Sequence, residues 1–155
     1  ILNKYLKASA DAVLEHEGTI DKFMGDAVMA WFNAPIPQAD HTLRAVKAAL
    51  GIKAGIEKLH KELPKDGHLS FGVGIHFGDA VMGLVGTENR LDYTAIGDSI
   101  NTAKRIQENS GAGQILISEV AYKNVAKHVK VKEVEPVIAK GKSKPINVYE
   151  VLNLK

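Results

Sequence analysis

The spacing of apolar residues changes along the chain, and that change limits the folds open to it. Near the start, Ile1, Leu2, Tyr5, Leu6, Ala10, Val13 and Leu14 recur every three or four positions, the period of a helix with one buried face. Gly18 ends that stretch. A second helix is predicted from Asp40, a residue type that can cap a helix start, to Leu63-Pro64, with Leu43, Val46, Leu50, Ile56, Leu59 and Leu63 on its buried side. From Leu69 the period falls to two, and Phe71, Val73 and Ile75 alternate with smaller or polar residues, as in a half-buried strand. Further strands are predicted at 80–85, 92–96, 114–118, 130–136 and 146–152. A helix is expected from Asp98 or Ser99 to near Gly111, and a short one capped by Ser118 to about Ala126. Between the two long helices, 19–23 and 27–32 flank Met24-Gly25-Asp26 and read as a β-hairpin. Helices and hairpins mixed in this way point to an α+β sandwich, with helices packed on a mostly antiparallel sheet.

One domain is expected. The chain has 155 residues, of which 45% are hydrophobic, enough for a real core. Its net charge of +2 makes no strong demand for nucleic acid or for direct contact with an anionic membrane. It has no cysteine, which excludes a disulfide scaffold, a thiolate metal site and a cysteine nucleophile. No apolar run approaches the ~20 residues of a membrane span. No secretory leader is visible, so a cytoplasmic location is the expectation.

Three places carry residues suited to chemistry. In Lys22-Phe23-Met24-Gly25-Asp26 a glycine turn presents one carboxylate, an oxygen donor of the kind Mg²⁺ takes. On this pentapeptide alone, an ordinary hairpin with a surface lysine and a turn aspartate is the more common reading. In the segment from Tyr93 to Arg105 a strand ends, a glycine turn follows and a helix begins. Asn101 and Arg105 are four apart and share one face of that helix. An amide and a guanidinium on one face suit a sugar oxygen and phosphate oxygens, and they also suit a solvated face. Lys140-Gly141-Lys142 lies between two strands and suits a polyphosphate or a plain basic turn. His76 has one acidic neighbour, Asp79, and is read as structural or surface. A GxxxxGK[ST] phosphate loop and a GxSxG elbow are both missing from the sequence.

Taken in order, GTIDKFMGDAVMAWFNAP (18–35), the Asp40-His41 helix start, GVGIHFGDAVMGLVG (72–86), RLDYTAIGDSINTAKRI (90–106) and AKGKSKPINVYEV (139–151) resemble class III adenylate and guanylate cyclases. The resemblance runs almost the whole length. It implies a ferredoxin-like βαββαβ-type sandwich and a homodimer with active sites at its interface. It also implies the reaction of ATP to cyclic AMP and pyrophosphate, with two Mg²⁺ or Mn²⁺ ions. Residue by residue, Asp26 resembles the second of two metal carboxylates. Lys22 and Thr94 resemble the purine readers, Asn101 the amide that orients the ribose, Arg105 the arginine at the α-phosphate, and Lys140 the lysine on the terminal phosphates. Lysine only donates, which suits the acceptor nitrogen of adenine, whereas Thr94 can donate or accept. The Lys-Thr pairing resembles one subclass of adenylate cyclases.

The family's first strand, with the first metal aspartate, has no counterpart in these residues. The expectation is a domain missing that strand, with little or no activity as residues 1–155 alone. Two alternatives stay open: a cyclase-like dimerisation module without catalysis, and a guanylate cyclase. A diguanylate cyclase lacks support, because its Gly-Gly-[Asp/Glu]-Glu-Phe turn is not in the sequence.

Overall fold

The computed structural model describes residues 1–138 and 144–155. Helix α1 (Leu2–Glu15) leads into a hairpin of β1 (Thr19–Met24) and β2 (Ala27–Trp31). Helix α2 (His41–Glu62) follows, then β3 (Val73–Ile75) and a second hairpin, β4 (Val81–Thr87) and β5 (Arg90–Ile96). The chain continues through α3 (Asp98–Glu108), β6 (Ile115–Ser118), α4 (Glu119–Lys123), β7 (Val129–Glu133) and β8 (Val148–Leu154). The strands form a four-stranded sheet in the order β3-β6-β8-β7 and two separate hairpins. All pairings are antiparallel except β3 with β6. This is the expected α+β arrangement of a mostly antiparallel sheet with helices packed on it.

The four-stranded sheet is covered on both faces, which explains why β6 reads as an unbroken apolar run rather than an alternation. Ile115 and Ile117 pack with Ile75, Val129 and Val151 under Val46 and Ala49 of α2, and Ala121 and Val125 close that core. Leu116 points the other way and joins Ile106 of α3, Val137 and Val148. Ser118 caps α4 as expected, its hydroxyl accepting from Ala121 N at 3.2 Å. Tyr5 fastens α1 to the segment that follows α2. Its buried hydroxyl donates to Gly67 O at 2.8 Å and accepts from Leu69 N at 3.0 Å.

Three sequence expectations are corrected. Asp40 stands at the N-cap position of α2, but its side chain makes no cap hydrogen bond. Its carboxylate instead accepts from Arg44 Nε at 2.7 Å, a charge-assisted bond that outcompetes a neutral backbone N–H. That bond holds the Asp40 carboxyl below its ordinary 3.8. Leu43, Leu50, Leu59 and Leu63 are only half-buried, and the buried residues of α2 are Thr42, Val46, Ala48, Ala49 and Ile56. Strand β3 starts at Val73 rather than Leu69. Leu69 N is already bonded to Tyr5, and Phe71 O accepts from Gly113 N, so this backbone has other partners.

A cleft of about 370 Å³ lies between β2 and β3. Val28, Ala30 and Trp31 line one side, Val73 and Ile75 the other, and Ala45, Ala49 and Ile52 of α2 form the floor. Among the described residues, β2 pairs only with β1 and β3 only with β6, so each has an open edge.

Candidate active site

Strand β1 does not run evenly against β2. Ile20 pairs with Ala30 and Lys22 with the next residue, Met29, so Asp21 is an extra residue in a β-bulge. In a regular strand, neighbouring side chains point to opposite faces. The bulge cancels that alternation locally and re-aims a side chain. As a result Lys22 Nζ comes within 3.6 Å of Asp21 Oδ2, although the two are adjacent in sequence. The same oxygen accepts a hydrogen bond from Thr94 Oγ1 of β5 at 2.8 Å. The Asp21 side chain is 3% exposed and Thr94 5%, while Lys22 stays 49% exposed. Lys22 and Thr94, 72 positions apart, are thus brought to one place by a carboxylate that sequence reasoning passed over. An acidic residue beside a lysine gives no signal in a strand whose bulge is unknown.

Asp26 lies at the exposed tip of the β1–β2 hairpin. Gly25 takes φ +62°, which a side chain disfavours, and so allows a two-residue turn between Met24 and Ala27. Asn101 is exposed and Arg105 half-buried on α3, on the side away from buried Thr102 and Ile106. Helix α3 is set by two contacts. Ser99 Oγ donates to Asp79 O at 2.7 Å, and the backbone of the helix lies directly on Gly74 of β3. Among the described residues, Asp26, Asn101 and Arg105 make no hydrogen bond or ion pair with the Lys22–Asp21–Thr94 group. Lys140 falls outside the described residues. His76 Nδ1 lies 2.9 Å from Ser118 Oγ, in keeping with its structural reading.

No group of three or more His, Asp or Glu able to hold a metal ion occurs among the described residues. Asp26 is one oxygen donor, too few by itself for two divalent ions. No helix is long and apolar enough to cross a membrane among the described residues.

Val81, Leu84, Leu91, Tyr93 and Ile96 are exposed on the two faces of the second hairpin, as are Phe23 and Met24 on the first. Exposed apolar side chains in such number suit a contact surface.

Comparison with known proteins identifies the family and the fold. The adenylate and guanylate cyclase catalytic domain family matches residues 2–153. Adenylate cyclase 1 of Rhizobium meliloti (strain 1021) is 34% identical over 99% of this chain and 24% of that protein. The adenylate cyclase of Anabaena cylindrica is 35% identical over 97% of this chain and 31% of that protein. The chain therefore spans less than a third of either relative. Among solved structures, the adenylyl cyclase CyaB from P. aeruginosa is 31% identical with a TM-score of 0.89, over 98% of this chain and 80% of that one. The guanylyl cyclase Cya2 is 33% identical with a TM-score of 0.92, over 99% of this chain and 79% of that one. Adenylyl and guanylyl enzymes match about equally, so overall likeness does not choose the base. On the match of 2–153 and these likenesses in sequence and fold, the chain belongs to the family of adenylate and guanylate cyclase catalytic domains.

Proposed function

We propose that this domain is an adenylate cyclase, converting ATP to 3′,5′-cyclic AMP and pyrophosphate in intracellular signalling. The observation that carries the choice of ATP is Lys22, held beside Thr94 with its ammonium accessible. An ammonium only donates. The edge nitrogen of adenine accepts, and that of guanine carries a proton, so Lys22 favours adenine. Thr94 then serves the neighbouring exocyclic group.

The remaining roles follow from side-chain chemistry. The ribose 3′-oxygen forms a bond to the α-phosphorus, the bond from that phosphorus to the pyrophosphate oxygen breaks, and the 3′-hydroxyl proton is released. Asn101 orients the ribose, which matters because attack within one nucleotide is a problem of alignment. Arg105 meets the negative charge that builds on the α-phosphoryl oxygens. Lys140 binds the terminal phosphates. Two divalent ions, Mg²⁺ or Mn²⁺, belong to this reading, with Asp26 as one ligand. The exposed apolar hairpins support a homodimer with active sites between the protomers. The open cleft between β2 and β3 supports a further strand there, carrying the first metal carboxylate, and hence little activity in residues 1–155 alone.

The test is cyclic nucleotide formation from ATP and from GTP, with Mn²⁺, by the domain carrying its native flanking sequence. Cyclic AMP from ATP, lost in Arg105→Ala, supports the proposal. A preference for GTP sinks the base assignment, and no product from a folded dimer shifts the reading to a regulatory module.

A further inference from the structure

We propose that Asp21 is a specificity-determining positioning residue, which makes the Lys22–Thr94 pair selective for adenine by fixing the direction of the Thr94 hydroxyl. This rests on the adenylate reading above. A free threonine hydroxyl is ambiguous, because it donates once and accepts twice. Facing a purine, it could accept from the amino group of adenine or donate to the carbonyl oxygen of guanine. Thr94 is not free. Its proton points to Asp21 Oδ2 at 2.8 Å, and an ionised carboxylate only accepts. The lone pairs left on Thr94 Oγ1 can only accept from a ligand.

With that constraint both readers discriminate in the same direction. Lys22 donates to the unprotonated ring nitrogen of adenine, and Thr94 accepts from the adjacent amino group. Guanine presents the opposite pattern, a ring N–H facing a donor and a carbonyl oxygen facing an acceptor. Polar groups left unpaired in a closed site are costly, which is why hydrogen-bonding sites reject mismatched ligands strongly.

Three features of the structure assign this role to Asp21 rather than to chance contact. Asp21 is the bulged residue of β1, so the local backbone departs from its regular course at the position where its carboxylate meets both readers. The side chain is 3% exposed, yet it carries an acidic group, which burial disfavours unless partners repay the desolvation. One oxygen, Oδ2, serves both Thr94 and Lys22, so it sets their separation as well as the hydroxyl direction. A carboxylate enclosed in this way and already bonded to Thr94 is not presented to a metal ion, in contrast to Asp26 at the hairpin tip.

The test is the ratio of kcat/KM for ATP and GTP in Asp21→Asn, on the domain with its native flanking sequence. Asparagine keeps the shape, but its amide can donate to Thr94 and so release the hydroxyl proton toward guanine. The ratio is expected to fall about tenfold or more, mainly through KM, because base reading acts on the bound substrate as well as the transition state. Thr94→Val on top of Asp21→Asn adds no further loss, since Asp21 acts through Thr94. Asp21→Ser, which removes the charge without adding volume, gives the same result and serves if the first variant does not fold. An unchanged ratio, or an equal loss for both nucleotides, in a wild type that prefers ATP overturns the Asp21 assignment and leaves the adenylate reading standing. A wild type that prefers GTP overturns both.

Discussion

Gly74→Ala tests whether the contact between β3 and α3 positions Asn101 and Arg105, the residues proposed to meet the ribose and the α-phosphate. A Cβ added at Gly74 would lie 2.5 Å from Gln107 N and 2.8 Å from Ala103 O and Gln107 Cα. Comfortable contact with carbon begins near 3.5 Å, so α3 or β3 must move by about 1 Å. The obstructing atoms are helix backbone, which cannot swing aside as the end of a long side chain does. Overpacking of this kind costs about 1–3 kcal/mol. At about 2–4 °C per kcal/mol for a domain of this size, the melting temperature falls by roughly 2–12 °C. Asn101 and Arg105 ride on the same helix, and Arg105 lies between Ala103 and Gln107. A displacement near 1 Å in a reacting constellation can cost about 10²-fold in rate. The assays are thermal unfolding and steady-state cyclic nucleotide synthesis, with Gly83→Ala as a control. No atom lies within 4 Å of a Cβ added at Gly83, so its stability should stay within about 0.5 kcal/mol of wild type. A Gly74→Ala protein with unchanged melting temperature and rate would refute the claim that this contact positions α3.

Three further outcomes are expected. Tyr5→Phe leaves Gly67 O and Leu69 N without their buried partner and destabilises the domain by about 1–3 kcal/mol in chemical denaturation. On the proposed role at the α-phosphate, Arg105→Ala lowers kcat by about 10²–10³ with no comparable loss of melting temperature, because Arg105 is half-buried and outside the two apolar cores. The Arg44 hydrogen bond lowers the Asp40 carboxyl from its ordinary 3.8. The stability it adds is therefore present above pH 3.8 and disappears as pH falls through the lower folded value. Asp40→Asn should remove this exposed contribution above pH 3.8, neutral pH included, and make no difference well below the folded value, so that part of the acid-unfolding curve flattens.

Local signals in the sequence were enough for most of the frame. The glycine turn at Gly25 and the Ser118 cap depend on neighbours within a few residues and appear where expected, while the helix periods place the helices but not their buried faces: Leu2 and Leu14 of α1 are exposed, and Tyr5, Ser9, Ala12 and Val13 are buried. Asp40 was misread because a cap residue and an ion-pair partner look the same until Arg44, one turn on, competes for the carboxylate. The alternation that begins at Leu69 overstates β3, because the backbone of Leu69 and Phe71 is taken by Tyr5 and Gly113, which lie far away in sequence. The candidate site divides in the same way. Asp26, Asn101 and Arg105 are candidates suggested by turn and helix spacing, each with an ordinary surface reading beside it. Asp21 could not, since its place depends on a bulge set by pairing with β2 and on β5 arriving from 73 residues away.

The open edges of β2 and β3 bear on how the chain behaves in a test tube. Unpaired strand edges recruit any extended segment that comes near. Two such edges flank an apolar floor here, so they form a template with a sticky base. Residues 1–155 handled alone at high concentration should gather into aggregates through this cleft. A short extended peptide with alternating apolar side chains, added during refolding, should keep the protein dispersed by occupying the place where another molecule's strand would otherwise lodge.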